Sequence, residues 1–378
     1  MTRTGIYIHI PFCESRCSYC DFFSTVPKAA EIKTAYGAQV VAVLKKELAT
    51  VRAEEIVSLY IGGGTPSTMP GRFFTAVGRA LTAAGIDTKK IEFTVEANPA
   101  DITAPFLRTL KKCGVNRLSL GTQSADDAVL KAMGRRASRE MLAKVLPLAR
   151  KEFDNISYDI IYGFGKRPRD LAAELGWLFE LAVPDHVSTY CYTRPERRKV
   201  PPVAREERIE TEEEAIHRFL AASRFTRYEV SNWARRGFES VHNRLYWSWD
   251  RYIGIGAGAH GFTPADGVRY HYPESVMAFI KDPVPVVERS PRDVKMREFV
   301  MMGLRTKEGI RRTQFKKLFG VDIAALMSVV TRERFIDAGY ATLTKRRLAA
   351  TVRGFDLLNS FIGALFDDIE RYARGHER

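Results

Sequence analysis

Apolar and polar positions along this chain fall into two rhythms. Short runs, most of them rich in β-branched and aromatic residues, occupy 6–10, 56–61, 91–97, 117–120, 156–162 and 186–192, with Gly, Pro or Asn close by. That composition and punctuation predict strands. Between the runs, apolar residues return at helical spacing. Val40, Val41, Leu44 and Leu48 mark one face of a helix over 35–51. Further helices are predicted over 73–84, 104–113, 126–133, 139–153 and 170–181. After the first strand the strands recur roughly every thirty residues, the length of a βα unit. Alternating β and α elements predict a parallel sheet covered by helices. Six units suit an open, partial (β/α)6 barrel, and the fold class is α/β.

The rhythm breaks after residue 192. Residues 193–208, TRPERRKVPPVAREER, are rich in Pro and Arg and predict a loop before a helix at 212–222. Residues 228–262 are rich in glycine and aromatics. From about 285 the helical patterns 294–304, 312–319, 323–330 and 355–366 follow one another, with a short hairpin over 341–352. Three parts are predicted: a barrel over 1–195, an α/β extension over 196–283, and a small helical, winged-helix-like domain over 284–378.

Composition narrows the class. At 45% hydrophobic and 28% charged, the chain has the make-up of a globular protein. No stretch approaches the ~20 apolar residues of a membrane span. The start, MTRTGIYIHI, lacks a signal-peptide pattern. Five cysteines, three of them in a thiolate motif, suit a reducing, cytoplasmic setting. The net charge of +14 fits an anionic ligand, an anionic membrane surface or nucleic acid, or a solvated basic surface. Nucleic acid is the weakest of these, because no aromatic-basic strip is evident.

The densest chemistry follows the first strand. Cys13, Cys17 and Cys20 are spaced Cys-x3-Cys-x2-Cys on a loop. A structural zinc site takes four ligands, and so does an ordinary four-iron cluster. Three thiolates leave one iron open to a small molecule. Strand two ends in Ile61-Gly62-Gly63-Gly64-Thr65-Pro66, a turn that lets a ligand approach the backbone. It is not a Walker loop, since no Lys-Ser/Thr follows. Other strand ends carry Glu96 and Asn98, Gln123 and Ser124, and Asp159, with Arg135 beyond the next helix. Function in such sheets collects at C-terminal strand ends. The planar fork of Arg135 suits a carboxylate, and Gln123 and Asp159 suit ribose hydroxyls. Tyr7 and His9 alternate with Ile6, Ile8 and Ile10, facing the cluster side or the barrel interior. Cys113 and Cys191 are expected as core residues. His260 lies beside a glycine turn.

The cysteine motif resembles that of the radical S-adenosylmethionine (SAM) superfamily. IYIHIPFC…CSYCDF, IGGGTPS, VEANP, RLSLGTQS and DIIYG together resemble the oxygen-independent coproporphyrinogen oxidase family, over nearly the whole chain. The resemblance implies a radical SAM barrel with a [4Fe-4S] cluster on Cys13, Cys17 and Cys20. It implies SAM held by Tyr7, Gly63, Gly64, Thr65, Glu96, Gln123, Arg135 and Asp159. That family has two arms: coproporphyrinogen III dehydrogenases and HemW-type heme chaperones. Three features favour the chaperone arm. Phe22 stands where the dehydrogenase arm has a further cysteine, and only five residues precede strand one. His242-Asn243-Arg244-Leu245-Tyr246-Trp247 matches the HNxxYW motif of the chaperones. By that resemblance His242 supplies a heme-iron ligand, and Tyr246 and Trp247 pack the macrocycle. The implied partners are heme, heme-accepting proteins (a membrane-surface acceptor among them) and an electron donor. A dehydrogenase, and a radical SAM enzyme acting on heme itself, remain as alternatives. The chain departs from the family at Phe164-Gly165-Lys166-Arg167, where a Leu-Pro-Gly-Gln is usual, and at Ala137, where a His is common.

Overall fold

The computed structural model describes residues 3–27, 29–194, 202–265 and 267–376. The six expected strands form as β1 (Thr4–Ile10), β2 (Ile56–Gly63), β3 (Glu92–Ala97), β4 (Arg117–Gln123), β5 (Ile156–Tyr162) and β6 (His186–Cys191). They pair in parallel, each with the next. Between them run α1 (Ala30–Leu48), α2 (Gly71–Ala83), α3 (Ala104–Lys112), α4 (Asp127–Ala132), α5 (Arg139–Glu152) and α6 (Leu171–Leu181). Four of these helices start at side-chain caps: Thr103, Ser138 and Asp170 accept from Phe106, Met141 and Ala173 backbone N–H groups, and Asp126 from those of Ala128 and Val129. Such caps contribute about 1 kcal/mol each.

Alternation on β1 sorts its two faces. Ile6, Ile8 and Ile10 are fully buried in the core they share with Tyr36, Val40 and Leu44 of α1. Tyr7 and His9 turn the other way, into the barrel, where the Tyr7 hydroxyl lies 2.9 Å from His9 Nδ1.

The region after β6 does not form a separate layer. After α7 (Glu206–Ala222), β7 (Thr226–Arg227) and β8 (Asn232–Ala234) extend the sheet beyond β6. Then α8 (Val241–Trp247) leads to β9 (Arg251–Ile255), which pairs in parallel with β1. β10 (His260–Thr263), β11 (Val268–His271) and, after α9 (Val276–Lys281), β12 (Val286–Arg289) continue antiparallel from there. The result is a twelve-stranded sheet ordered β12-β11-β10-β9-β1-β2-β3-β4-β5-β6-β8-β7. β12 lies past residue 283, within the stretch expected to open the C-terminal part. Of the Pro/Arg-rich stretch 193–208, residues 195–201 lie outside the described residues.

The C-terminal part comprises α10 (Arg292–Leu304), α11 (Arg312–Phe319), α12 (Ile323–Leu326), α13 (Val329–Thr331) and α14 (Leu358–His376). β13 (Ile310–Arg311), β14 (Ala341–Leu343) and β15 (Arg347–Ala350) form a small antiparallel sheet beside them. This is the expected helical unit with a hairpin. Its core, around Phe299, Phe315 and Phe361, takes in Trp249, Tyr252 and Phe262 from the extension.

Candidate functional site

The loop after β1 and the turn after β2 are fixed to each other by backbone bonds. Ile10 pairs with Gly63, and the Gly64 N–H donates to the Ile10 carbonyl at 2.8 Å. A side chain at Gly63, whose φ is +110°, would meet the His9 ring at 2.5 Å. One at Gly64 would sit 3.1 Å from the Cys13 sulfur. The glycines therefore let the turn lie flat against the cysteine loop. That loop closes where Phe12 bridges Thr25, and the Ser18 N–H ties it to the Met133 carbonyl just past α4.

A cavity of about 590 Å³ opens at this end of the barrel. Cys13, Cys17 and Cys20 line it together with Gly63, Gly64, Thr65, Glu96, Gln123, Arg135 and Asp159. The expected strand-end residues thus meet in one place. Ser124 stands outside it, and Tyr7 does not line the cavity either. The period-two alternation gave its side of the strand but not its depth. Its ring lies below the cavity, 6.2 Å from Tyr60 and 6.3 Å from His242 between centroids.

The cavity walls have marked electrostatics. The Glu96 carboxylate accepts from the Tyr60 hydroxyl at 2.7 Å and from the Gly63 N–H at 3.1 Å. Burial, with the nearby Asp159 charge adding, pushes its pKa up to about 7. Burial likewise pushes Asp159 up to about 6, although Ser188, Ser119 and Arg117 pull it down. A carboxylate held that high gains from a cation placed beside it. Arg135 donates to Cys17 Sγ at 3.7 Å and to the Tyr19 hydroxyl at 3.4 Å, while its buried Nε has no partner. The Thr65 hydroxyl donates to Cys13 Sγ at 3.3 Å.

The residues fit the cofactors that the motif implies. The three cysteines do not converge as ligands to a single ion would. Among the described residues no group of three or more His, Cys, Asp or Glu is placed to hold a metal ion. A four-iron cluster takes each thiolate on a different iron, so a ring of thiols around one cavity mouth suits it. The orphaned Arg135 Nε suits a carboxylate, and the raised Glu96 suits an ammonium group.

The base of the barrel is different. The backbone N–H groups of Val241 and His242 donate to the Glu92 carboxylate at the start of β3, both at 2.9 Å. A carboxylate there also offsets the α8 dipole. Glu92 lies 4.0 Å from Arg117, which is only 2% exposed. His242 is 1% exposed; its Nδ1 lies 2.8 Å from the Ser58 hydroxyl and its Nε2 2.7 Å from the Tyr246 hydroxyl. Its ring stacks on Tyr60 at 5.1 Å. Burial, with the Arg117 charge adding, holds its pKa down to about 3, so it is neutral. In this arrangement His242 is not presented to an iron. The HNxxYW spacing showed Tyr246 one turn on, but not Ser58 on a distant strand.

Trp247, at the end of α8, faces a second cavity of about 520 Å³ between the barrel base and the C-terminal part. Arg3, Arg244, Arg311, Lys317 and Arg347 line it, with Asp250 and Glu308. The Trp247 indole N–H is buried and has no partner.

Sequence reasoning also missed wall residues. Ser119, Tyr190 and Cys191 line the first cavity, and Cys191 is exposed rather than core. The strand-end rule that found Gln123 applied equally to the end of β6. Cys113 is partly buried at the end of α3, 3.6 Å from the Thr75 hydroxyl. His260 is exposed and stacks on His271, away from that cavity.

Comparison with known proteins agrees with this geometry. The Radical SAM superfamily model matches residues 7–176, and the HemN C-terminal domain model matches 291–357. The heme chaperone HemW of Lactococcus lactis is 32% identical, covering 96% of this chain and 97% of that protein. That of Bacillus subtilis is 29% identical, over 96% and 99%. A mouse mitochondrial protein, radical S-adenosyl methionine domain-containing protein 1, is 29% identical over 98% and 88%. In three dimensions the coproporphyrinogen III oxidase HemN of Escherichia coli superposes with a TM-score of 0.79 over 96% of this chain and 90% of that one, at 19% identity. That likeness establishes the fold, whereas the sequence relatives establish the kinship: this chain belongs to the HemW family of radical SAM proteins.

Proposed function

We propose that this protein binds heme and passes it to acceptor proteins, and that it carries a [4Fe-4S] cluster with SAM at the rim cavity. The observation that carries the reading is end-to-end similarity to a heme chaperone, at 32% identity. Cys13, Cys17 and Cys20 are the proposed cluster ligands. The cluster, when bound, supplies an open iron for SAM and electrons delivered by a donor protein. Arg135 holds the SAM carboxylate with its free Nε, and Glu96 takes the ammonium beside the Gly63–Thr65 turn. Gln123 and Asp159 bond the ribose.

The heme reading uses the other end of the barrel. Trp247 offers an aromatic wall in a cavity lined by arginines that suit propionates. His242 takes part in iron ligation only if it gives up its bonds to Ser58 and Tyr246. We place acceptor proteins, including any at a membrane surface, and a cytoplasmic setting within this same reading. Among the described residues no helix is long and apolar enough to cross a membrane.

The test is an anaerobic heme titration of the reconstituted chain, followed by heme transfer to an apo-acceptor. Trp247→Ala should weaken heme binding several-fold while the iron of the cluster is retained. A parallel incubation with coproporphyrinogen III, SAM and a reductant should give no protoporphyrinogen. Product there would replace the chaperone reading with that of the dehydrogenase.

A further inference from the structure

We propose that the Arg169–Glu174 pair is the positioning element of the SAM pocket, clamping the ends of β4 and β5 so that Gln123 and Ile161 stand in the cavity wall. The proposal rests on the SAM reading above. Gln123 and Ile161 line the cavity, but Arg169 and Glu174 do not. Arg169 follows the loop out of β5, and its side chain is 1% exposed. Its Nη1 donates to the Ile161 carbonyl near the end of β5. Its Nε and Nη2 donate to the two oxygens of Glu174, each at 2.8 Å, the bidentate geometry that fixes both partners. Glu174, in the first turn of α6, accepts from the Ser124 hydroxyl at 2.6 Å and the Ala125 N–H at 2.8 Å. These are the two residues after Gln123. An unbroken hydrogen-bonded chain therefore joins one strand end to the next.

Gln123 needs such fixing. Its φ is +63°, a region that a residue with a side chain seldom adopts. The β4–β5 register also shifts between Leu120 and Gln123. Backbone of this kind persists only where its surroundings over-determine it. The turn is held further by the Asp126 N–H, which donates to Ser124 Oγ at 3.0 Å. Burial pushes the Glu174 carboxyl up, but the hydrogen bonds and charge of Arg169 outweigh it, and the group sits below its usual range. The clamp spans residues 164–167, where this chain departs from the family pattern. From that loop only Arg167 reaches the β4 end among the described ion pairs, 3.9 Å from Asp126 in a largely exposed pair that adds little beside the buried clamp.

The test uses the full chain, reconstituted anaerobically. SAM affinity is read by equilibrium dialysis, iron and sulfide by chemical assay, and SAM contact by the change it makes in the electron paramagnetic resonance signal of the reduced cluster. Arg169→Met should weaken SAM binding about tenfold, and Ser124→Ala about threefold, with iron and sulfide unchanged. Arg169→Lys, which keeps a donor for Glu174, should recover part of the loss and part of the spectral change. Wild-type SAM affinity in both Arg169→Met and Ser124→Ala would overturn the proposal. Should Arg169→Met fail to fold, Ser124→Ala and Glu174→Gln decide it by the same readouts. An unaltered chain that loads its cluster yet binds no SAM overturns the SAM reading itself, and this proposal with it.

Discussion

At the rim of the barrel, Arg135 keeps a buried nitrogen without a partner and Glu96 is held near pH 7. At the base, His242 spends both ring nitrogens on Ser58 and Tyr246, and Glu92 caps the helix that carries it. Both places are aromatic, polar and buried. At the rim the Arg135 Nε is left unpaired, whereas at the base His242 bonds within the chain and the unpaired nitrogen is the Arg117 Nε beside Glu92. Buried polar groups in folded proteins are almost always paired, so the unpaired ones point to ligands. By that measure the rim suits the proposed cofactor, and His242 is satisfied within the chain. Trp247, with its orphaned indole N–H, also resembles the rim.

The comparison can be broken most decisively at the cysteines. Cys20→Ala should abolish cluster assembly, read as iron and sulfide per chain, whereas Cys113→Ala and Cys191→Ala should load fully. A full cluster in Cys20→Ala would remove the rim's claim to be the cofactor end. Next in size, Arg135→Ala should weaken SAM binding by about 1–3 kcal/mol, because it removes a charged partner for a carboxylate. Calorimetry showing equal affinity, with the fold intact, would mean that its free nitrogen has no ligand.

At the base the expected effect is on stability. His242→Ala strands the Ser58 and Tyr246 hydroxyls and should cost about 1–3 kcal/mol in denaturant unfolding. Cluster loading and the heme Soret band should hardly change. A shifted Soret band at unchanged stability would make His242 a ligand after all, and the two ends alike.

The smallest effect sharpens the account of the rim. Glu96 faces Asp159, Arg117 and the hydroxyls of Tyr60, Tyr7 and Tyr246, and its raised pKa reflects burial first. An ammonium ligand needs it ionised. SAM affinity should therefore rise with pH through about 7, being roughly twofold weaker at pH 7 than at pH 8. Glu96→Gln should flatten that dependence. A pH-independent affinity in the unaltered chain would remove Glu96 from the pocket.

Much of this is legible in the sequence, for a physical reason. The barrel strands are long enough for alternation and β-branched composition to mark them, and βα units impose their own spacing. Polar residues stand out against these apolar runs, so Glu96 and Gln123 toward strand ends and Asp159 within β5 could be picked out as candidates. The strands β7 to β12 were not legible, because they are two to five residues long and their pairing is set by neighbours distant in sequence. The same limit explains Tyr7 and His242. Local pattern shows which way a side chain turns, while its partner is chosen by the fold.

The route of the chain from β8 to β9 has a mechanical consequence. β8 pairs with β6, β9 pairs with β1, and α8 runs between them, seated on Glu92. The two flanks of an open barrel are thus joined by this short crosspiece beneath its floor, and again by the C-terminal part, which bonds Tyr228 and Val230 on one side and packs Trp249, Tyr252 and Phe262 on the other. Splaying the mouth to admit a large guest would pull on that crosspiece like a hinge pin, and tightening the mouth would slacken it. A single backbone nick within 235–240, between β8 and α8, would leave every barrel strand whole and cut this crosspiece alone, so that the C-terminal part carries the coupling.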